Sequence, residues 1–179
     1  MVLNLNKDDD TNKTLVAKLN FEPQAVSGLG LGAGLYRGKV HGYSEAGGTA
    51  PTLSINQTIY STHLYYNQLP FKFMGELFIF DTADLLNNSA KSSSKGFFVQ
   101  AAYEIREMVR PYARIEQVSP DEEDPYATLL FGNEDAKRFT AGIRFNISPE
   151  SSLKFELISE KIGALDRISI LGGQWAVVF

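Results

Sequence analysis

Ser61 and His63 stand two residues apart in "TIYSTHLYY", a spacing that puts both side chains on one face of an extended strand. A hydroxyl beside an imidazole can be a nucleophile and its base. Same-face neighbours on a strand lie about 6.5–7 Å apart along the backbone, and a base must reach its nucleophile by a hydrogen bond. No third residue that would orient the imidazole can be named, and nucleophilic triads need one. The pair therefore reads as part of a polar surface, and the chain does not read as an enzyme. His41, in a Gly-rich stretch, reads as exposed. The acidic runs Asp8–Asp10 and Asp121–Asp124 offer carboxylates of the kind Ca²⁺ takes. Neither has the spacing of a calcium loop, so both read as solvated loops. Cysteine is absent, which excludes a disulfide framework and any thiolate metal site. "GLGLGAG" lacks the spacing and the following helix of a nucleotide-binding fingerprint. It reads as small residues where a strand is closely approached. No metal site and no cofactor site follows from these residues.

A larger constellation remains, and it is one of charge. Lys18, Glu22, Lys72, Glu76, Glu104, Arg114, Glu116, Arg144, Lys154 and Glu156 each alternate with apolar neighbours. Period-two alternation runs through nearly the whole chain, which is the pattern of half-buried strands. "TLVAKLNFE" sets Leu15, Ala17, Leu19 and Phe21 against Lys18, Asn20 and Glu22. "FKFMGELFIF" sets Phe71, Phe73, Leu77 and Ile79 against Lys72 and Glu76. "FTAGIRFNI" and "LKFELIS" repeat the pattern with Phe139, Ile143, Leu153 and Phe155 opposed by Arg144, Lys154 and Glu156. Nine strands are expected, with "VLNLN" at Val2–Asn6 as a tenth. The expected organisation is an N-terminal segment, 1–13, with a short strand and an outer loop, followed by strands over 14–179.

The connections alternate in length. "PQAVSG", "NQLP", "REMV" and "SPESS" are short. The stretches from about Gly38 to Leu53, "DTADLLNNSAKSSSK" and Ser119 to Lys137 are long, and "EKIGALDR" is moderate. Short turns at one end and longer loops at the other are the pattern of a transmembrane β-barrel. Aromatic residues agree. Phe21, Tyr66, Phe71, Tyr103, Tyr112 and Phe145 flank the short turns, where an interfacial girdle would fall. If the apolar face meets lipid, the charges must face inward, because a cation at mid-bilayer costs ~2–4 kcal/mol.

The formal charge is −4 and the pI about 5.2, with Lys and Arg scattered singly, so no nucleic-acid surface is indicated. No stretch has the ~20 apolar residues of a spanning helix. The opening "MVLNLNKDDDTNK" lacks the basic and apolar regions of a signal peptide.

The segments "LVAKLNFEP…GLGLGAGLYRG", "GFFVQAAYEI", "RPYARIE", "RFTAGIRFNISPESSLKFEL" and "GGQWAVVF", in this order, resemble the last part of bacterial outer-membrane porins of the phosphate-selective type. The resemblance covers Thr14 to Phe179, and only the C-terminal portion of a barrel of roughly 16–18 strands. It implies an all-β fold, an antiparallel transmembrane barrel in the outer membrane, and passive diffusion of small hydrophilic solutes or ions. Leu171, Trp175, Val177 and Phe179, at alternate positions with Gly173, look like the C-terminal signal read by the outer-membrane assembly machinery. The lipid bilayer and lipopolysaccharide would be its surroundings. The oligomeric state, a homotrimer among the options, is left open. The family's constriction loop and basic selectivity ladder are not convincingly present, so phosphate selectivity does not carry over. The near balance of charge signs on the polar face argues against strong ion selection. Two rivals stand beside this reading. One is a soluble β-barrel binding a small apolar ligand, with Leu15, Phe73, Phe97 and Ile143 inside. The other is a blocked outer-membrane barrel with an adhesive or lipid-hydrolase role.

Overall fold

The computed structural model describes residues 13–42, 53–88 and 90–178. The expected strand at Val2–Asn6, the run Asp8–Asp10 and Phe179 lie outside them. Nine strands form one antiparallel sheet in chain order, each paired with its neighbours in sequence. They are β1 (Leu15–Phe21), β2 (Leu29–Gly42), β3 (Leu53–Gln68), β4 (Phe71–Asp84), β5 (Ala90–Tyr103), β6 (Val109–Ser119), β7 (Ala136–Ser148), β8 (Ser151–Ile162) and β9 (Ile168–Val177). Among the described residues β1 pairs only with β2, and β9 only with β8.

Alternation explains where the strands lie, but not how far they run. "DTADLLNNSAKSSSK", expected to be a long loop, is mostly ladder: β4 continues to Asp84 and β5 starts at Ala90. Two of its serines, Ser93 and Ser94, suit a strand because their hydroxyls find acceptors. Ser93 Oγ donates to Asp81 Oδ1 at 2.8 Å and Ser94 Oγ to Asp124 Oδ2 at 2.8 Å. β2 likewise continues to Gly42, so His41 is a half-buried strand residue and not an exposed loop residue. The length contrast between the two ends is correspondingly weaker than expected. One end carries connections 22–28, 69–70, 104–108 and 149–150; the other carries 43–52, 85–89, 120–135 and 163–167.

The acidic connection holds one helix, α1 (Pro125–Phe131). Asp124 caps it, accepting from the backbone N–H of Tyr126 and Ala127 at 2.9 and 3.3 Å. Proline opens the helix and Gly132 ends it at φ 68°. Asp-Pro at the start and glycine after the end are ordinary helix boundaries, so the signal stood in "DPYATLLFG" although strand alternation dominated its surroundings.

The two faces differ in kind. Residues directly opposite in an antiparallel pair point to the same side, so one row can be followed across the sheet. Asn20, Gly32, His63, Glu76, Phe98, Glu116, Arg138 and Glu160 share a row on the polar face. Leu31, Leu64, Gly75, Val99, Ile115 and Phe139 share a row on the other. The apolar face is exposed: Leu19 is 71 %, Leu157 53 % and Leu171 81 % accessible. The buried hydrophobic residues among those described are only Leu53, Ile55 and Ala127. Leu15, Phe73 and Phe97 are exposed and Ile143 half-buried, so they fill no dry centre, as the soluble rival requires.

The apolar face is also a band of limited height. On β4 it runs from Phe71 to Ile79 before Asp81 ends it. At ~3.4 Å per residue that span is about 27 Å along the strand. The first polar outward residue is Arg37 on β2, Asp81 on β4, Lys95 on β5, Gln117 on β6, Lys137 on β7 and Ser159 on β8. Relative to the hydrogen-bonded rows, this boundary slips by the six residues from Arg37 to Leu31 between β2 and β8. A slip of about 20 Å over six interstrand spacings of ~4.8 Å is an inclination of roughly 30–35°. That approaches the 35–45° strand tilt of transmembrane barrels. Corrected for tilt, the band is about 22 Å high, against ~25 Å for such barrels.

Candidate functional site

The ten charged residues singled out in the sequence all lie on the polar face or at its turn end. Lys18, Lys72, Glu76, Arg114, Glu116, Arg144, Lys154 and Glu156 follow its rows. Glu22 reaches Tyr65, whose hydroxyl donates to its carboxylate. Glu104 sits between Lys72 Nζ, at 3.2 Å, and the Arg110 guanidinium. Burial alone would push the Glu104 carboxyl up, by disfavouring its charged form. Hydrogen bonds and attraction from Arg110 and Lys72 outweigh that and hold the Glu104 carboxyl below its usual range.

From β6 to β8 the charges form two clusters, one around Glu116 and one around Glu156. Arg114 meets Glu116 at 2.8 Å, Arg138 bridges Glu116 at 3.9 Å and Glu160 at 2.8 Å, and Lys154 meets Glu156 at 3.0 Å. Tyr112 donates to Glu156. The Arg114 guanidinium also lies 4.1 Å from the Phe98 ring centroid. Pairs this exposed contribute ~0–1 kcal/mol each, so they order the wall more than they stabilise it. A cavity of about 490 Å³ opens here, lined by Arg110, Arg114, Arg138, Arg144 and Lys154 against Glu116 and Glu156. Its lining holds five cations and two carboxylates, but Glu104 and Glu160 just beyond it pair with Arg110 and Arg138, so the balance of signs read from the sequence is tipped only slightly toward the cations here. Arg144 adds to that excess, donating from Nε to Asn146 Oδ1 at 3.0 Å.

Ser61 and His63 do share the polar face, opposite Gly34 and Gly32 of β2. The glycines of "GLGLGAG" are accounted for here. A Cβ on Gly32 would stand 2.2 Å from the His63 ring, and one on Gly30 would stand 2.1 Å from the Tyr65 ring. The β3 side chains lie flat across β2 because nothing projects from it there.

At the loop end the same face is covered. The 120–135 connection turns inward and docks on β3, β4 and β5. Asp124 is 1 % exposed, and its Oδ2 accepts from Ser94 Oγ at 2.8 Å and Thr82 Oγ1 at 3.4 Å. Asp121 accepts from the backbone N–H of Glu123 at 3.0 Å and of Ser93 at 3.1 Å, and these bonds hold its carboxyl below the usual range. Beneath lie Ile55, Gln57, Thr82, Ser92 and Ser94, all buried. Two of the "DEED" carboxylates are thus consumed as caps and latches, which corrects the solvated-loop reading.

Phe21, Tyr66, Phe71, Tyr103 and Phe145 fall on the apolar face at the turn end, with Phe71 and Tyr103 edge to face at 5.2 Å. Tyr112 does not join them. It points to the polar face, where Gly142 leaves room for its ring. Leu171, Trp175 and Val177 lie on the apolar face of β9, and Trp175 Nε1 donates to Ser151 Oγ at 2.9 Å. Arg138 and Glu160 were missed as polar-face residues, and Arg110, on the polar side of the alternation against Ala113 and Ile115, was not singled out for its charge. Arg138 and Glu160 lie just past the stretches where apolar alternation is clean, and Arg110 precedes Pro111 at a strand start.

A single antiparallel meander with one polar and one exposed apolar face is the architecture of porins. No protein-family model matches the chain, and no curated protein sequence matches it. Among solved structures, the anion-selective porin from Comamonas acidovorans is similar with a TM-score of 0.65 at 14% sequence identity, over 92% of this chain and 45% of that one. The likeness establishes a porin-type fold. It does not single out the phosphate-selective family, for which no family match stands. The chain spans less than half the length of the porin it matches.

Proposed function

We propose that this chain forms part of the wall of a porin-type channel in a bacterial outer membrane, through which small hydrophilic solutes and ions diffuse passively. The observation that carries the reading is the segregation of the two faces. Every strand glutamate (Glu76, Glu116, Glu156 and Glu160) lies on one face, while an exposed apolar band covers the other. A bilayer demands both, since hydrocarbon takes the band and only a wet interior accommodates the charges. Aromatic residues at the turn end suit one interface. The inward-folded 120–135 connection would narrow the passage, and the excess of cations lining the cavity on β5 to β8 would favour anions over cations of equal size. The selectivity named for the solved porin is in line with that preference. Leu171, Trp175 and Val177 on β9 would be the described part of the assembly signal.

Recording from the protein in planar bilayers under a salt gradient tests the proposal. Stepwise conductance with a reversal potential on the anion side is expected. Verified insertion without conductance would refute it and favour a blocked barrel.

A further inference from the structure

The outward charges are distributed differently from the inward ones. Past the apolar band, at the loop end, the outward face carries Arg37, Lys39, Lys91, Lys95, Lys137 and Lys161. Asp81 is the one outward carboxylate on the described strands. Arg37, Lys95 and Lys137 are each the first polar residue beyond the band, and Lys161 stands beside Lys137 in the same row. These cations therefore follow the inclined edge of the apolar surface from strand to strand.

Their pairing differs too. On the polar face Lys72, Arg110, Arg114, Arg138 and Lys154 each meet a carboxylate. Among the described residues none of the six outward cations has a carboxylate within ion-pair distance. Lys137 and Lys161 are directly opposite across β7 and β8. Like charges so placed repel and destabilise the pair, unless an anion lies between them. The opposite edge of the band carries aromatic rings such as Phe71 and Tyr103 instead.

We infer that this belt, with Lys95, Lys137 and Lys161 at its centre, binds the phosphate-bearing headgroups of the membrane leaflet at the loop end. The inference rests on the membrane-spanning reading of the sheet. Its position supplies the occupant: unpaired cations at the margin of a lipid-facing surface meet headgroups, and those of opposite charge neutralise them. Juxtamembrane cations each add about 1 kcal/mol of attraction to an anionic surface, which corresponds to about fivefold in affinity.

The test uses the protein folded in uncharged maltoside micelles, where a heat-modifiable electrophoretic band reports the folded form. Phosphatidylglycerol or phosphatidylcholine is then added at equal mole fraction, and lipid retention is read by native mass spectrometry. Phosphatidylglycerol should be retained preferentially, and the preference should fall in high salt. The triple variant K95Q/K137Q/K161Q should fold in the uncharged micelles and lose at least tenfold in that preference. Equal retention of the two lipids, or an unchanged preference in the variant, would overturn the belt while leaving the channel standing. Inorganic phosphate competing as well as the lipid would overturn it too, by showing a soluble-anion site. Absence of any folded form in micelles would overturn the membrane reading, and this inference with it.

Discussion

Asp124→Ala should release the 120–135 connection from the polar face. The side chain is 1 % exposed and holds two structures together. Oδ1 caps α1, and loss of such a cap costs about 1 kcal/mol. Oδ2 accepts from Ser94 Oγ at 2.8 Å, and a hydrogen bond to a charged group is worth roughly 1.5–3 kcal/mol. The Thr82 contact at 3.4 Å is too long to add much. Ser94 Oγ still accepts from the Asp121 N–H after the change, at 3.0 Å, which limits the penalty of an orphaned hydroxyl. The expected loss is about 3 kcal/mol, and the open population of the connection should rise roughly 150-fold. Asp124→Asn should behave differently. Asparagine caps as well as aspartate, and its amide can still bond the hydroxyls, so only the charge is lost. About 1 kcal/mol, or fivefold, is expected there. Hydrogen exchange over 120–135 and over β3 reads the opening directly. Limited digestion by a Glu-specific protease reads it at Glu122, Glu123 and Glu134. In bilayers, single-channel conductance should rise for Asp124→Ala and hardly change for Asp124→Asn. Equal exchange in the two variants would refute the latch. Faster exchange without any rise in conductance would leave the latch standing and refute its place in the passage.

Further tests address the band, the wall and the loop. Leu77→Arg puts a cation into the apolar band on β4 and should destabilise the folded form in vesicles by about 2–4 kcal/mol, whereas Gln100→Lys on the polar face should cost little; urea titrations giving equal costs would contradict the assignment of faces. Arg144→Glu removes a cation from the slightly basic cavity and should move the reversal potential toward cations, with unit conductance changed less. The Asp121 carboxyl is held below its ordinary range by the N–H groups of Glu123 and Ser93. Its contribution is therefore fully present above the unfolded value of about 3.9 and is lost as pH falls through the lower folded value. The protection of the 121–124 amides, taken relative to their intrinsic exchange rates, should be flat from pH 5 to 8 and fall only under strongly acid conditions; loss of protection near neutrality would count against this latch.

The faces of the sheet were legible in the sequence because period-two alternation specifies them residue by residue. Lys72, Glu76, Arg114, Arg144, Lys154 and Glu156 fell on the polar side for that reason alone. Strand ends were less legible. Beyond the apolar band neither face needs hydrocarbon, so alternation fades at Arg138, Glu160 and the serines of β5 although the ladder continues. The inward loop was invisible for a different reason. Asp124, Ser94 and Thr82 are far apart in sequence, and nothing local marks Ser94 as an acceptor's partner. A composition of acids and glycine reads as a solvated loop until the hydroxyls beneath it are known. Tyr112 erred on the opposite count, since proximity to a short turn does not decide which face a residue takes.

Strand parity carries the geometry one step further. In a meander each strand reverses the last, so β1 and β9 run in the same direction. Direct pairing of these two edges would be parallel, whereas every other pair in the sheet is antiparallel. An antiparallel barrel that contains these nine strands must therefore interpose an odd number of further strands between β9 and β1, which makes the total even, as in bacterial single-chain barrels. A single extra strand, seven or nine would all satisfy parity, but they differ in bore. The inclination of roughly 30–35° over β2 to β8 approaches the 35–45° tilt of strands in closed barrels. With ten strands the inward side chains of the Arg114, Arg138 and Glu160 network would face the opposite wall closely; with sixteen or eighteen they would leave an aqueous channel. Unit conductance of the inserted protein separates the two cases, and a value too small for a wide channel even with Asp124→Ala would favour the narrow one.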